Sequence, residues 1–427
     1  MSIAGFSFEQ LLILPIAIVA FIVLLTIIVF IHEFGHFQVA RWLGVRVDVF
    51  SIGFGKPLAR WVDRKGTEWR IAMLPLGGYV KFFGDAGPAS NASGDVQNEQ
   101  SGQHEQSGPG TTQFPRPDQA EIIGQGMTPE ERAVCFHFKP LWRRAAIVAA
   151  GPFANFALAI AIFWGLLTVL GQGVWEARIG TVVENSAASE AGLVEGDLLL
   201  SVNGRKLESF NDLSMEAKLG AGEELVFQVD RGGNIIEITA MPRRAEMEDA
   251  FGNKVKMGQL GVSPARDGYK FVTYGPLKAL GVATEKVWEI LSTTVKFIGR
   301  LILGKEDTSQ LGGPLKMAQY AGQSALSGFD ESGYQEQPSF LTKLKVSLTN
   351  FINLAAVVSV SIGFLNLLPV PVLDGGHLMY YGYEAAVGKP LGAKAQAVGF
   401  KMGLVMLASL MLFVTWNDIN SLLSIIS

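Results

Sequence analysis

Two histidines and a glutamate near the start of the chain have the types and spacing that metal chemistry needs. His32, Glu33 and His36 form the pattern His-Glu-x-x-His. In an α-helix, residues four positions apart lie on one face, so both imidazoles can bind the same metal ion. Glu33 lies close enough to act as a base toward a water molecule that the metal activates. The pattern therefore predicts a hydrolytic zinc site.

The position of this pattern in the chain supports the prediction. Residues 11–31 carry no charge and are long enough to span a bilayer, which takes about 20 residues. The run is too long for the apolar part of a signal peptide, and no basic segment precedes it. Ionisable groups at membrane depth are costly and are functional by default. The alternative is a helix that leaves the membrane here, with these side chains at the interface.

The composition indicates a membrane protein with soluble mass attached. Of 427 residues, 49% are hydrophobic and 17% are charged, and the mean hydropathy is +0.29. The net charge of −4 provides no basic footprint, so we expect no nucleic-acid partner. Cys135 is the only cysteine, which excludes an intrachain disulfide. We predict a mainly α-helical membrane protein with four transmembrane helices, in regions 1–40, 131–175, 341–380 and 381–427.

The remaining regions differ in character. Residues 41–84 alternate apolar and polar side chains and predict a membrane-associated β-hairpin. Residues 85–130 are rich in Gly, Ser, Gln, Asn and Pro and predict a disordered linker. Residues 176–265 contain short strand patterns separated by turn signals and predict a β-rich domain. Region 266–340 contains an amphipathic helix, which either lies on the membrane surface or packs against the soluble domain.

Basic residues near the helix ends predict the orientation of the chain, because cytoplasmic loops carry the excess of Lys and Arg. One side carries nine basic residues near its helix ends, and the other carries three. We therefore predict that the first side, with the 85–130 linker, is cytoplasmic and that the β-rich domain is outside. The nine are Arg41, Arg46, Arg132, Lys139, Arg143, Arg144, Lys389, Lys394 and Lys401, and the three are Arg178, Lys343 and Lys345.

A catalytic zinc site needs a third protein ligand. Asp374 is the preferred candidate, because it directly follows the uncharged run 346–373 of the third membrane region. The predicted orientation places it on the same cytoplasmic side as His32 and His36. The competing interpretation of Asp374 is a turn residue before two glycines. Among the other histidines, His104 lies in the predicted linker, His137 lies in a polar approach to the second helix, and His377 is a fallback ligand or a residue that orients one.

The apolar run before Asp374 contains Pro369 and Pro371. Prolines remove backbone donors and break a helix, and a broken helix at membrane depth is tolerated only where it lines protein or water. The break therefore predicts a water route to the metal, with Asn366 and free backbone groups able to hold an unwound substrate. Gly151 to Asn155 opens the second helix with small residues, for which close helix packing is a sufficient explanation.

Four stretches together resemble the site-2 protease family of intramembrane zinc metalloproteases, in particular its regulator of sigma-E protease type. These stretches are residues 32–36, 77–81, 139–155 and 366–375. Residues 184–197 resemble the signature stretch of a PDZ domain. The chain has room for one clear module of this kind, where the best-known member of the family has two.

The resemblance implies a zinc ion held by His32, His36 and Asp374, with Glu33 as the base. It also implies a location in the bacterial inner membrane, a periplasmic PDZ domain that binds peptides or the periplasmic region of a substrate, and an active site near the cytoplasmic side. The implied substrates are single-pass membrane proteins, typically anti-sigma factors and sometimes remnant signal peptides. The implied substrate-binding residues are Asn366, Pro371, Gly77, Gly78 and Tyr79.

Two other functions stay open at this point. The first is a membrane-anchored metalloprotease that cuts segments outside the membrane, which would favour a third ligand in a soluble region. The second is a membrane adaptor whose PDZ module binds peptide ends. The adaptor leaves His32, Glu33, His36 and Asp374 without a role at costly positions.

Overall fold

The computed structural model describes residues 8–84, 127–248, 254–304, 311–329 and 338–426. Four helices within these ranges are long and apolar enough to cross a membrane, as the sequence predicted. They are Pro15–Trp42, Leu141–Val169, Phe340–Leu367 and Lys394–Asn420. Most of the predicted linker, residues 85–126, lies outside the described residues.

The helices are, in chain order, α1 (Phe8–Trp42), α2 (Pro129–Val134), α3 (Leu141–Val169), α4 (Ala187–Glu190), α5 (Phe210–Leu219), α6 (Pro276–Ile302), α7 (Pro314–Leu326), α8 (Phe340–Leu367), α9 (Asp374–Val387) and α10 (Ala393–Ile426). The chain forms two compact units. The first consists of Met1–Ile162 with Lys316–Thr415, and the second of Phe163–Leu315 with Trp416–Ser427.

The third transmembrane region, 341–380, is divided into two helices at the prolines, where the sequence predicted a break. Helix α8 ends at Leu367, and α9 begins at Asp374. Between them the prolines supply no amide donors, and the chain turns back on itself. Gly375 makes the turn possible, because a Cβ there would lie 2.3 Å from the carbonyl oxygens of both Leu367 and Leu368.

Helices α1, α7 and α8 share an apolar core in the first unit. Leu24 and Ile28 of α1 are fully buried against Ala321 of α7 and Val358 of α8. Gly322 of α7 approaches α1 so closely that a Cβ on it would lie 2.5 Å from the Cβ of Ala17. Region 266–340 therefore contains α7 as well as the predicted amphipathic helix, which is α6. Most of α7 belongs to the first unit.

Asp418 in the apolar helix α10 has a structural role in the second unit. Its carboxylate is fully buried and accepts hydrogen bonds from the backbone N–H groups of Gly313 (2.9 Å) and Leu315 (3.0 Å). These groups lie at the start of α7, where backbone donors have no partner within the helix. Asp418 thus caps that helix end and places its negative charge at the positive end of the dipole.

Region 41–84 contains a larger sheet than the predicted hairpin. It has two long antiparallel strands, β1 (Val47–Val62) and β2 (Glu68–Phe82), which bend so that the start of β1 pairs on both of its sides. Residues 47–52 pair with 78–82 on one side, and residues 49–52 pair with 68–71 on the other; residues 59–62 pair with the outer side of 68–71. The residue numbers of 49–52 and of their partners 68–71 rise together, so this central pair runs parallel, whereas the other two pairs are antiparallel. The result is a mixed sheet of four segments, with 78–82 at one edge.

The second unit contains the β-rich module, which we define as residues 172–272. Its strands are β3 (Gln172–Trp175), β4 (Ile179–Val182), β5 (Leu198–Val202), β6 (Arg205–Lys206), β7 (Leu225–Arg231), β8 (Asn234–Ala240), β9 (Arg243–Glu248), β10 (Lys254–Gln259), β11 (Val262–Pro264) and β12 (Tyr269–Val272). Strands β6-β5-β7-β8 form a four-stranded sheet, β4 pairs with β11, and β3 pairs with β12. Ile179, Leu199 and Phe227 lie in the core that these strands enclose.

Asp197, just before β5, joins two parts of the module. Its buried carboxylate accepts hydrogen bonds from Arg231 Nε (2.8 Å) and Nη2 (2.7 Å) and from the backbone N–H of Val194 (3.0 Å). Burial alone would raise the pKa of Asp197, but the hydrogen bonds from Arg231 and Val194 lower it below its usual value. The ionised form of Asp197 therefore stabilises the folded module.

We predict that Asp197→Asn destabilises the module by about 1–3 kcal/mol at pH 7, because a buried charge-assisted pair is lost. A carboxyl whose folded pKa is lowered stabilises the fold above its unfolded pKa of about 3.9 and loses that contribution as pH falls through the folded pKa. The difference between the two proteins should therefore be complete at pH 5 and above and shrink as the pH falls below about 4. Hydrogen exchange of the full-length protein measures it.

Glu195→Gln is the matched control, because Glu195 is exposed two residues away and undergoes the same chemical change. Equal exchange protection in the Asp197 and Glu195 variants at pH 7 would contradict the prediction.

Candidate metal centre

Three buried side chains from two distant parts of the chain meet at one point. His32 and His36 lie on α1, and Asp374 is the first residue of α9. The Nε2 atoms of His32 and His36 are 3.2 Å apart, and Asp374 Oδ2 lies 3.1 Å from the first and 3.5 Å from the second. The structure thus brings the three predicted ligands together, and among the described residues they form a cluster able to hold a metal ion.

The spacing and chemistry of the cluster fit zinc. Tetrahedral zinc with bonds of about 2.0–2.2 Å places neighbouring ligand atoms about 3.3–3.6 Å apart, close to the observed separations. Asp374 Oδ2 is buried and makes no hydrogen bond within the described residues. Neutral imidazole nitrogens and a carboxylate oxygen that face one another repel through their lone pairs, and a cation between them removes that cost. Two histidines and one carboxylate also leave a zinc position open for chemistry.

Helix α3 orients both imidazoles. His36 Nδ1 donates to the backbone carbonyl oxygen of Ile147 at 2.8 Å, which leaves its Nε2 unprotonated and directed toward the cluster. Asn155 is fully buried, and its side-chain amide lies 3.3 Å from His32 Nδ1. Its backbone carbonyl accepts a hydrogen bond from Ser359 Oγ of α8 at 2.9 Å, so α8 in turn supports α3 at this position.

The side chain of Asn155 must present its oxygen to His32. An amide side chain has a donor end and an acceptor end of nearly equal size, so hydrogen bonding decides which end faces His32. With its nitrogen toward His32 Nδ1, the Asn155 oxygen is buried without a partner. The reversed orientation pairs that oxygen with Nδ1–H, and it leaves His32 Nε2 free to bind a metal.

Glycines allow the helices to approach closely enough for this arrangement. A Cβ on Gly151 would lie 2.2 Å from His36 Nε2 and 2.9 Å from His32 Cε1. A Cβ on Gly35 would lie 2.4 Å from the carbonyl oxygen of Ala150. The sequence assigned Gly151 to Asn155 only to helix packing, whereas the structure places both residues against the candidate ligands. No spacing rule in a single sequence separates these two roles.

Glu33 is buried beside the cluster on α1, with 2% of its surface exposed. The edge segment 78–82 of the sheet comes directly to it, because a Cβ on Gly78 would lie 3.3 Å from Glu33 Cγ and 2.7 Å from the carbonyl oxygen of Ser51. Gly77 has φ of 145°, which lies outside the range that other residues commonly adopt. The predicted residues Gly77 and Gly78 therefore lie next to the predicted base.

The other predicted substrate residues have different surroundings. Tyr79 follows Gly78 in the edge segment, and its ring stacks on Phe54 with centroids 6.2 Å apart. Asn366 is half-buried in the last turn of α8, on the face that carries Ser359. Pro371 packs instead against α10, where a Cβ on Gly403 would lie 3.3 Å from its Cδ.

The two alternative histidines that the structure describes do not join the donor cluster. His377 and His137 are described but are not among the three clustered ligands, and His104 lies outside the described residues. His137 is buried in a short 3₁₀ turn before α3. Burial, and then the charge of Arg144, lower the pKa of His137 to about 4, so it is neutral at physiological pH.

Comparison with known proteins agrees with the fold and the site. Residues 20–410 match the model of peptidase family M50. A protein of Rhizobium meliloti with the provisional name of a zinc metalloprotease is 39% identical over 95% of this chain and 97% of its own length. A provisionally named zinc metalloprotease of Agrobacterium fabrum is 40% identical over 95% and 96%, and metalloprotease MmpA of Caulobacter vibrioides is 38% identical over the same shares.

Four membrane-length helices and a buried two-histidine, one-carboxylate cluster define a multi-pass membrane zinc metallopeptidase. The chain belongs to peptidase family M50. The sequence-based predictions of a zinc cofactor and of metallopeptidase activity are therefore confirmed.

We predict that Gly151→Ala weakens zinc binding by about 10–100-fold, because the added methyl group displaces imidazoles whose orientation the site depends on. Zinc content after dialysis against a chelator measures this effect, and peptide cleavage should fall with it. Gly165→Ala in the same helix is the control, since a Cβ there meets no heavy atom within 4 Å. Equal zinc retention in both variants would contradict the proposed contact.

Proposed function

We propose that this metallopeptidase hydrolyses peptide bonds within the transmembrane segments of single-pass membrane proteins. The observation that carries the proposal is the depth of the site within the apolar helices. His32 and His36 continue the uncharged run of α1 without a break, inside the span Pro15–Trp42, and Asp374 follows the span Phe340–Leu367 after a six-residue turn. Ionisable groups at such a depth are energetically costly, so their presence indicates a function.

The residues at the site have distinct roles in hydrolysis. His32, His36 and Asp374 would hold the zinc ion, which would supply Lewis-acid chemistry toward water and the substrate carbonyl. Glu33, buried beside the cluster, accepts the proton of the attacking water and passes it to the leaving amine. Ile147 and Asn155 keep the imidazole Nε2 atoms directed at the metal.

The edge of the β1–β2 sheet is suited to hold the substrate. Among the described strand pairs, residues 78–81 pair only with 49–52, so an added strand can pair along the other side of 78–81. A peptide must be extended to be cut, and pairing along this edge would hold it extended beside Glu33. Gly78 has no side chain and so leaves room for that peptide. The side-chain amide of Asn366 can form hydrogen bonds with the peptide backbone. Pro371 contributes by shaping the turn before Asp374.

Exposed apolar side chains on the sheet support its association with the membrane. Leu58, Trp61, Val62 and Met73 are each about half exposed or more, and a cluster of this kind marks an interaction surface. The lipid bilayer is the partner we propose for it. The same sheet would then present its edge to substrates at membrane depth.

We further propose that the β-rich module is a PDZ domain of the regulator of sigma-E protease type. A cavity of about 160 Å³ lies between helix α5 and residues 258–263, which join β10 to β11, and Leu213, Ala217, Leu260 and Val262 are among the residues that line it. Strand β11 pairs with β4 on its other side. A peptide end or the periplasmic region of a substrate could add beside β11 in this groove.

The basic residues at the helix ends support an inner-membrane orientation with this module in the periplasm and the metal site near the cytoplasmic side. Anti-sigma factors already shortened by another protease are the substrates we propose, with remnant signal peptides as a second group. The module would then exclude substrates whose periplasmic part is still long.

We predict that Glu33→Gln retains zinc and lowers kcat by at least about 10²-fold, because the base is lost while the ligands stay in place. A purified single-pass reporter in liposomes, with the cut mapped by mass spectrometry, measures both rate and position. We expect the wild-type cut inside the apolar segment. A cut only outside that segment would favour the membrane-anchored protease, and unchanged activity in the variant would refute Glu33 as the base.

We predict that deletion of residues 177–264 allows cleavage of substrates with a long periplasmic part, which the full-length enzyme refuses. Trp175 of β3 and Tyr269 of β12 are paired neighbours, so a short Gly-Ser linker can close the gap. A pre-shortened substrate is the control and should be cut at similar rates by both enzymes. If the deletion variant cleaves the short substrate normally but still does not cleave the long one, the module does not exclude long substrates.

A further inference from the structure

Helices α3 and α9 meet at two places, and the metal cluster is only one of them. On α3, residues 144, 147, 151 and 155 are spaced three or four apart and share one face. On α9, residues 374, 377, 381 and 384 share a face in the same way. The metal cluster joins Gly151 and Asn155 to Asp374 through the two imidazoles. The other end of the shared face carries a buried ion pair.

Arg144 and Glu384 form this pair. Arg144 Nη2 donates to Glu384 Oε1 at 2.6 Å, and the guanidinium lies 5.1 Å above the ring of Tyr381. Arg144 Nε also donates to the carbonyl oxygen of Lys139 at 3.2 Å. The side chains of Arg144 and Glu384 are only 9% and 17% exposed. Three partners in different directions thus hold one guanidinium in a single orientation.

This pair lies toward the far end of the helix that begins with Asp374. Glu384 lies ten residues after Asp374, about 15 Å along the helix axis. Before Asp374 the chain is a turn and not a continuation of α8, so contacts along α9 itself set the rotation of that helix. Ligand distances in a metal site tolerate deviations of only about 0.2 Å, and a small rotation of α9 would exceed that.

We propose that Arg144 and Glu384 are positioning residues for the metal site: their ion pair holds α9 in the rotation and height at which Asp374 reaches His32 and His36. The inference rests on the proposed role of Asp374 as a zinc ligand. It assigns a task to two charged residues that are not among the three clustered candidate ligands. Tyr381, buried between the two helices, fills the space beneath the guanidinium.

The test measures metal binding by Glu384→Gln and Arg144→Gln in the full-length protein. We expect each variant to bind Zn²⁺ about tenfold more weakly in competition with a chelator. The double variant should be no weaker than the weaker single variant, because one interaction is lost in all three. The rise in melting temperature on adding Zn²⁺ should shrink in each, which a loss of fold stability alone would not cause.

Substitution of Co²⁺ for zinc provides a direct view of the ligand geometry. The visible absorption of bound Co²⁺ depends on coordination, so we expect altered band intensities in Glu384→Gln. Glu130→Gln, on the exposed surface of α2, undergoes the same change of charge and should match the wild type. Zn²⁺ affinity within twofold of the wild type, together with an unchanged Co²⁺ spectrum, would overturn the proposal.

Asp374→Asn separates this proposal from the proposed function. If that variant loses Zn²⁺ while Glu384→Gln retains it, the metal site stands and the positioning role is wrong. If Asp374→Asn retains Zn²⁺ at wild-type affinity, the ligand assignment fails and the positioning role fails with it.

Discussion

The hydrogen bond from His36 to the carbonyl oxygen of Ile147 is the contact on which the metal site depends. It fixes the protonation of one imidazole, and it ties α1 to α3 within two of the membrane-length helices. The side chain of Asn155 orients His32 in a similar way. The backbone carbonyl of Asn155 accepts a hydrogen bond from Ser359 of α8. Three apolar helices are thus joined by polar contacts that all serve the same pair of rings. Packing between apolar helices has little hydrophobic drive within lipid, so such contacts also contribute to specific association.

Small residues make these contacts geometrically possible. Gly35 and Gly151 remove the side chains that would separate α1 from α3, and Gly78 removes the one that would cover Glu33. Gly375 allows the turn that presents Asp374. Each glycine weakens its own helix or strand slightly. The fold tolerates that local loss of stability because a larger residue would displace His32 and His36 or crowd Glu33.

The sequence predicted the parts of the site that follow from periodicity and hydropathy. His32 and His36 share a helix face, and Asp374 ends an uncharged run, so their types and depth were sufficient. The contribution of Ile147 was not predictable, because a backbone carbonyl carries no side-chain signal. Asn155 and Gly151 were seen only as small or polar residues of a packed helix. The order of the β1–β2 sheet also escaped prediction, because β1 pairs with two separate parts of β2 and register between such segments depends on tertiary contacts.

The candidate metal ligands lie more than 300 positions apart in the chain, and this separation affects when the site can be completed during synthesis. A ribosome adds about 5–20 residues each second, so His32 and His36 are made well before Asp374. Throughout that interval the growing chain holds two of the three ligands and lacks the carboxylate. Activity therefore waits until the β-rich module and α8 have been synthesised. A newly inserted chain cannot attack its membrane neighbours before the regions proposed to restrain it are present.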